Sequence, residues 1–175
     1  IESIIQGADR LETFLETHGQ STGLIEEINL PILEDDPQWE RIANLRWAFY
    51  NVLKQTGPLW KESLILSLAK NEKQQHLADA VQRYDQWLMF MVDRLGLNDA
   101  IFDNIYSKPI LNGSQIQQRA LPGAHGEVFR RIMKAQEEWQ VRHGCSGADM
   151  DNHNREAELI EYLVNTFPEY AHPSQ

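Results

Sequence analysis

An all-α helical array of about seven to eight helices is the fold class this sequence predicts, on three observations. Apolar residues recur at steps of three and four, as in Ile4, Ala8, Leu11 and Leu15, and again in Leu77, Val81, Tyr84, Leu88, Met91 and Leu95. No stretch alternates apolar and polar residues with the period of two that a half-buried strand needs. Gly-Pro, Asn-Gly and Pro-Gly pairs punctuate the chain where helices should stop.

The first helix carries the stripe from Ile4 to Leu15. Asp36-Pro37 predicts the next start, an N-cap followed by proline at the first helical position, leading into Trp39, Ile42, Ala43, Tyr50 and Leu53. Gly57-Pro58 breaks that helix, and Leu59 to Leu68 supplies a third. The helix bearing Leu77 to Leu95 is expected to end at Gly96 in a left-handed C-cap, with one short turn over residues 98–105. Pro109 and Asn112-Gly113 then interrupt helix formation, and Ser114 with Gln117 predicts a capping box for a small helix near 114–120. Pro122-Gly123 stops it. Val128, Ile132, Ala135 and Trp139 stripe the following helix, residues 144–154 have loop composition, and a last amphipathic helix carries Leu159, Ile160, Leu163 and Phe167. The change of texture predicts a helical body region, 1–105, and a tail region, 106–175, with a small helix-turn-helix near 114–143.

With 175 residues and 42% hydrophobic composition the chain can bury one real core or two small ones. Cys145 is its single cysteine, so no disulfide scaffold is possible, and a reducing compartment or indifference to redox state is expected. No apolar run approaches the roughly 18 residues that span a bilayer, and no leader pattern opens the chain. A soluble, intracellular protein of cytoplasm, nucleus or mitochondrion without a membrane partner is therefore expected. The start on Ile1 suggests a fragment or a processed chain.

The net charge of -10 argues against a simple nucleic-acid binder until it is mapped along the chain. Residues 1–40 hold 1 basic and 10 acidic residues and residues 145–175 hold 1 and 6, whereas residues 106–144 hold 6 basic and 3 acidic. That one basic stretch contains Leu121-Pro122-Gly123-Ala124-His125-Gly126-Glu127-Val128-Phe129-Arg130-Arg131. A helix that begins after such a turn offers free amides and the positive end of its dipole, both of which favour an anion. Arg130 and Lys134 lie one turn apart with Arg131 beside them, so amides of the Gly123–Gly126 turn and three cations can meet a phosphate backbone together. His125, inside the turn, could add a hydrogen bond.

Other candidates are poorer. Asp149-Met150-Asp151 has the spacing of a two-metal carboxylate pair but no strand or Gly-Ser turn around it, so no catalytic residue is assigned. His143, Cys145, Asp149, Asp151 and His153 match no familiar zinc spacing, and no metal site is assigned. The five tryptophans are expected as core anchors.

Leu95-Gly96-Leu97, Lys108-Pro109-Ile110-Leu111-Asn112-Gly113, Pro122-Gly123 and Trp139-Gln140 follow one another in an order that resembles the C-terminal part of eukaryotic, fungal-like CCA-adding enzymes, the tRNA nucleotidyltransferases. The resemblance runs over residues 88–170. It departs at the turn, where Ala124 stands in place of a usual proline and Gly126 falls one position early. It implies a tRNA-binding body and tail that hold the tRNA elbow and acceptor arm, with tRNA and a catalytic head and neck of the same enzyme as partners. Mg and CTP or ATP are implied for that head, and no cofactor for this chain. By the match or by charge, the implied RNA contacts are Lys108, Asn112, Gly113, Gly123, His125, Arg130, Arg131 and Lys134. Two other readings remain: a helix-hairpin-helix module binding DNA phosphates, and an acidic helical scaffold for protein partners.

Overall fold

The computed structural model describes residues 2–18, 34–71, 77–89, 108–145 and 155–173. Among these residues the regular structure is entirely helical, with seven α-helices, one 3-10 turn and no strand. The protein is an all-α array, as its apolar spacing predicts. Among the described residues no helix is long and apolar enough to cross a membrane. The chain divides into two compact units, Ile1–Phe102 and Asp103–Gln175.

The first unit holds α1 (Glu2–His18), α2 (Trp39–Thr56), α3 (Trp60–Asn71) and α4 (Leu77–Met89). Helix α1 packs on α2 and α3, and α4 packs on α3. The α1–α3 crossing is close because Gly7 has no side chain: a Cβ there would lie 2.5 Å from Ser63 Oγ and 2.6 Å from Thr56 Cγ2. Ser63 uses the proximity to donate a hydrogen bond to the Ile4 carbonyl at 3.0 Å. Ala8, Leu11 and Leu15 are buried along the expected stripe. Phe14 meets Phe49 at 4.1 Å between ring centroids, and Phe49 meets Trp87 edge-on at 5.4 Å.

Two details differ from the sequence expectation. Helix α2 starts at Trp39 rather than directly after Asp36, whose Oδ1 and carbonyl oxygen accept from the Gln38 and Trp39 amides at 2.8 and 2.9 Å. Asp36-Pro37 thus forms a turn ahead of the helix. On α4, the residue driven into the core is Trp87, while Val81 stays 44% exposed, because the large indole wins the place beside Phe49. Gly57 ends α2 at φ +88°, a conformation that favours glycine. The expected C-cap at Gly96 and the turn over 98–105 lie outside the described residues.

The second unit holds α5 (Gly113–Arg119), α6 (Val128–His143), α7 (Glu156–Thr166) and a 3-10 turn, Pro168–Tyr170. Ile110, Leu111, Ile116, Leu121, Ile132, Trp139, Leu159, Leu163 and Phe167 form its core. The capping box of α5 sits two residues earlier than expected. Asn112, in extended conformation, accepts from the Gln115 amide and Gln115 Oε1 accepts from the Asn112 amide, each at 2.9 Å. The pair closes two backbone donors that the Ser114 register would leave open.

Among the described residues no strand pairs with 108–111, and two buried glutamines one turn apart on α6 take that place. Gln136 Oε1 accepts from the Leu111 amide at 3.0 Å while its Nε2 donates to the Leu111 carbonyl at 2.9 Å. Gln140 Oε1 accepts from the Ile110 amide at 3.1 Å and its Nε2 donates to the Lys108 carbonyl at 2.9 Å. A side-chain amide has the same donor and acceptor as a peptide group, so this run is satisfied as though by a neighbouring chain. The Ile110 amide and both backbone groups of Leu111 thus keep partners where the two side chains are buried.

Helix α6 ends at Gly144, which adopts a left-handed conformation. Beyond it the buried Cys145 is covered by Arg155, whose Nη1 lies 3.5 Å from Sγ and whose guanidinium stands 5.3 Å from the Trp139 ring centroid. Arg155 also donates to Glu158 Oε2 at 2.7 Å. That hydrogen bond holds the Glu158 carboxyl below the usual carboxylate range. The pair therefore contributes stability above the ordinary carboxylate pKa and loses it as pH falls through the lowered one, to an extent kept small by solvent.

Candidate nucleic-acid interface

The α5–turn–α6 hairpin presents the positive residues. Pro122 and Gly123 follow the end of α5, Gly126 takes φ +61°, and α6 begins at Val128. Burial of Ile132, Gln136 and Trp139 on one side of α6 turns Arg130, Arg131 and Lys134 outward, where all three are exposed. Among the described residues the Lys134 ammonium has no partner, and Arg130 has only a long contact of 4.0 Å to Glu127, both side chains being strongly exposed. The Arg131 guanidinium lies over the Phe167 ring, 5.8 Å from its centroid. The amides of Gly126, Glu127 and Val128 take no acceptor among the described residues, so the positive end of the α6 dipole is open beside the cations.

The remaining expected contacts are placed differently. Gly123 is buried, and its amide donates to the Tyr170 carbonyl at 2.9 Å; the Ala124 amide donates to the Leu121 carbonyl at 3.0 Å. The first half of the turn is thus closed by the chain itself, which corrects the expectation that its amides face a phosphate. Gly123 instead serves close packing, since a Cβ would run into the His172 carbonyl oxygen and lie 3.2 Å from that of Tyr170. Asn112 Oδ1 caps α5, and a Cβ at Gly113 would lie 3.9 Å from the nearest carbon of the Phe129 ring. Lys108 is exposed, but its carbonyl is tied to Gln140 on the last turns of α6, away from the Arg130–Lys134 end. Arg119 is engaged with Glu156 at 2.9 Å.

His125 is exposed, with Nδ1 2.9 Å from the Gly123 carbonyl oxygen. A carbonyl only accepts, so Nδ1 carries the proton, and Nε2 of the neutral ring is an acceptor.

Arg130, Arg131 and Lys134 are exposed on the first turns of α6, which follow directly in the chain on His125 and the open amides of 126–128. The structure does not bring Lys108, Asn112, Gly113 or the Gly123 amide into the same place. The glutamine clamp is what sequence reasoning missed. Its signal is a pair of glutamines spaced by four along the apolar stripe of α6, Gln136 between Ile132 and Trp139 and Gln140 directly after Trp139.

No group of three or more His, Cys, Asp or Glu that could hold a metal occurs among the described residues. Asp149, Asp151 and His153 lie outside them. Compared with protein-family models, curated proteins and solved structures, the chain matches none.

Proposed function

We propose that this chain is a tRNA-binding body and tail of a CCA-adding tRNA nucleotidyltransferase, holding the elbow and acceptor arm while the catalytic head of that enzyme, with its Mg and CTP or ATP, extends the 3' end. The observation that carries the reading is the exposed set Arg130, Arg131 and Lys134 beside the open amides at the start of α6. Such a surface suits phosphates of folded RNA, whose shape can be read without base contacts. Further support comes from the residues behind the family resemblance. Ile110, Leu111 and Trp139 share one core and Gln140 bonds the Lys108–Ile110 backbone, so two separated pieces of the motif form one constellation.

Three phosphate contacts predict a log-log salt slope of about -2 to -3 for tRNA binding. Affinity should be weak against a net charge of -10, and tRNA should be preferred to duplex DNA of equal length. Arg130→Glu combined with Lys134→Glu should weaken tRNA binding strongly and flatten the slope by about two ion pairs. Fluorescence anisotropy of a labelled tRNA titrated with the 175-residue chain across a salt series measures both. An unchanged affinity and slope in the double variant would remove the physical basis of the reading.

A further inference from the structure

The C-terminal segment after α7 contacts the basic hairpin at two points. The Tyr170 carbonyl accepts the Gly123 amide at 2.9 Å, and the carbonyls of Tyr170 and His172 fill the space where a side chain at Gly123 would go. One residue before the 3-10 turn, Phe167 is 5% exposed in the core and offers its ring to the Arg131 guanidinium at 5.8 Å. Residues 168–175 contain one Glu, one His and no Lys or Arg, so this segment carries no permanent positive charge with which to hold a phosphate. Its carbonyls point at the turn, and its aromatic ring lies under one of the three cations.

We propose that this segment is a brace that sets the basic hairpin for phosphate binding without touching RNA, and that Phe167 is the positioning residue for Arg131. The inference rests on the RNA-binding reading above. A guanidinium on a long flexible stem loses rotamer freedom when it pairs with a phosphate. Held over an aromatic ring, Arg131 has already lost part of that freedom, and an aromatic face takes none of the guanidinium's hydrogen-bond donors. Phe167 can do this because it is fixed by Leu163 and the rest of the core, not by solvent-facing contacts.

The test is a double-mutant cycle on tRNA affinity in the full chain with Phe167→Leu, Phe167→Tyr, Arg131→Met and the pair Phe167→Leu/Arg131→Met. Leucine keeps an apolar filler in the core and removes the ring face, whereas tyrosine keeps both. Phe167→Leu should weaken tRNA binding about 2- to 5-fold, the scale of an exposed cation–π contact. Phe167→Tyr should bind as the parent does. In the Arg131→Met background, Phe167→Leu should have no further effect, which a merely structural role for Phe167 would not produce. Equal losses from Phe167→Leu with and without Arg131 overturn the proposal, as does parental affinity in either Phe167→Leu or Arg131→Met. The broader RNA reading is judged separately, by the Arg130→Glu/Lys134→Glu variant. Circular dichroism of each variant confirms folding, and Phe167→Tyr supplies the comparison if leucine loosens the core.

Discussion

Gly123→Val is expected to unfold or severely loosen the second unit, at a cost of about 3 kcal/mol or more. The added Cβ alone would run into the His172 carbonyl oxygen and crowd Tyr170, and these are backbone atoms that cannot swing aside as a flexible side chain can. Relieving the clash means pushing the C-terminal turn outward, which breaks the bond from the Gly123 amide to Tyr170 and strands a buried donor. Stability of a domain is typically only about 5–15 kcal/mol, so the loss is a large fraction of it. Chemical denaturation followed by circular dichroism measures the change. Trp139 is the only tryptophan after residue 102, so its indole NMR signal reports the second unit alone. A Gly123→Val chain with parental stability and an unmoved Trp139 signal would show that the C-terminal turn does not lie on Gly123.

Gln136→Leu is the second large effect. Leucine has nearly the right volume and suits an apolar site, so a reading based on hydrophobic burial predicts little change or a gain. The hydrogen bonds decide otherwise. Leu111 is 0% exposed, and losing the carboxamide leaves both its amide and its carbonyl unpartnered in a dry core. Each stranded group costs about 1–3 kcal/mol, so a total of about 2–6 kcal/mol is expected by denaturation. Gln136→Glu separates hydrogen bonding from volume. A carboxylate can accept from the Leu111 amide, but its other oxygen faces the Leu111 carbonyl, and only the protonated acid can donate there. The folded protein therefore favours the protonated form, which raises the pKa of that group above the unfolded value of about 4.3. Gln136→Glu should accordingly be most nearly parental at acid pH and lose stability as pH rises through the raised pKa. A pH-independent deficit would mean that the clamp is not the source of the stability.

The legible parts of this molecule are those decided by neighbours in sequence. Helix spacing placed Ala8, Leu11, Leu15, Ile132, Trp139, Leu159 and Leu163 inward, and all are buried. The cations of α6 stood out because three of them fall within five residues and opposite an apolar stripe. The capping register of α5 was misread because Asn112 and Ser114 are both good N-caps with a glutamine three residues on. Only the extended conformation of Asn112, set by the clamped run before it, chooses between them. Gly123 and Gln136 were opaque for a different reason: their partners at 170–172 and 111 are distant in sequence and are backbone groups, which no residue pattern marks. A turn glycine read as an open anion cradle is in fact half closed by the far end of the chain.

The clamp also has a consequence for how this unit can change over generations. When two side chains form a pair, loss at one position can be rescued by a second-site change at the other. Gln136 and Gln140 have peptide groups as partners, and peptide groups do not mutate. A defect at either glutamine has no reciprocal suppressor at 108–111, so selection should hold both positions individually rather than as a covarying pair.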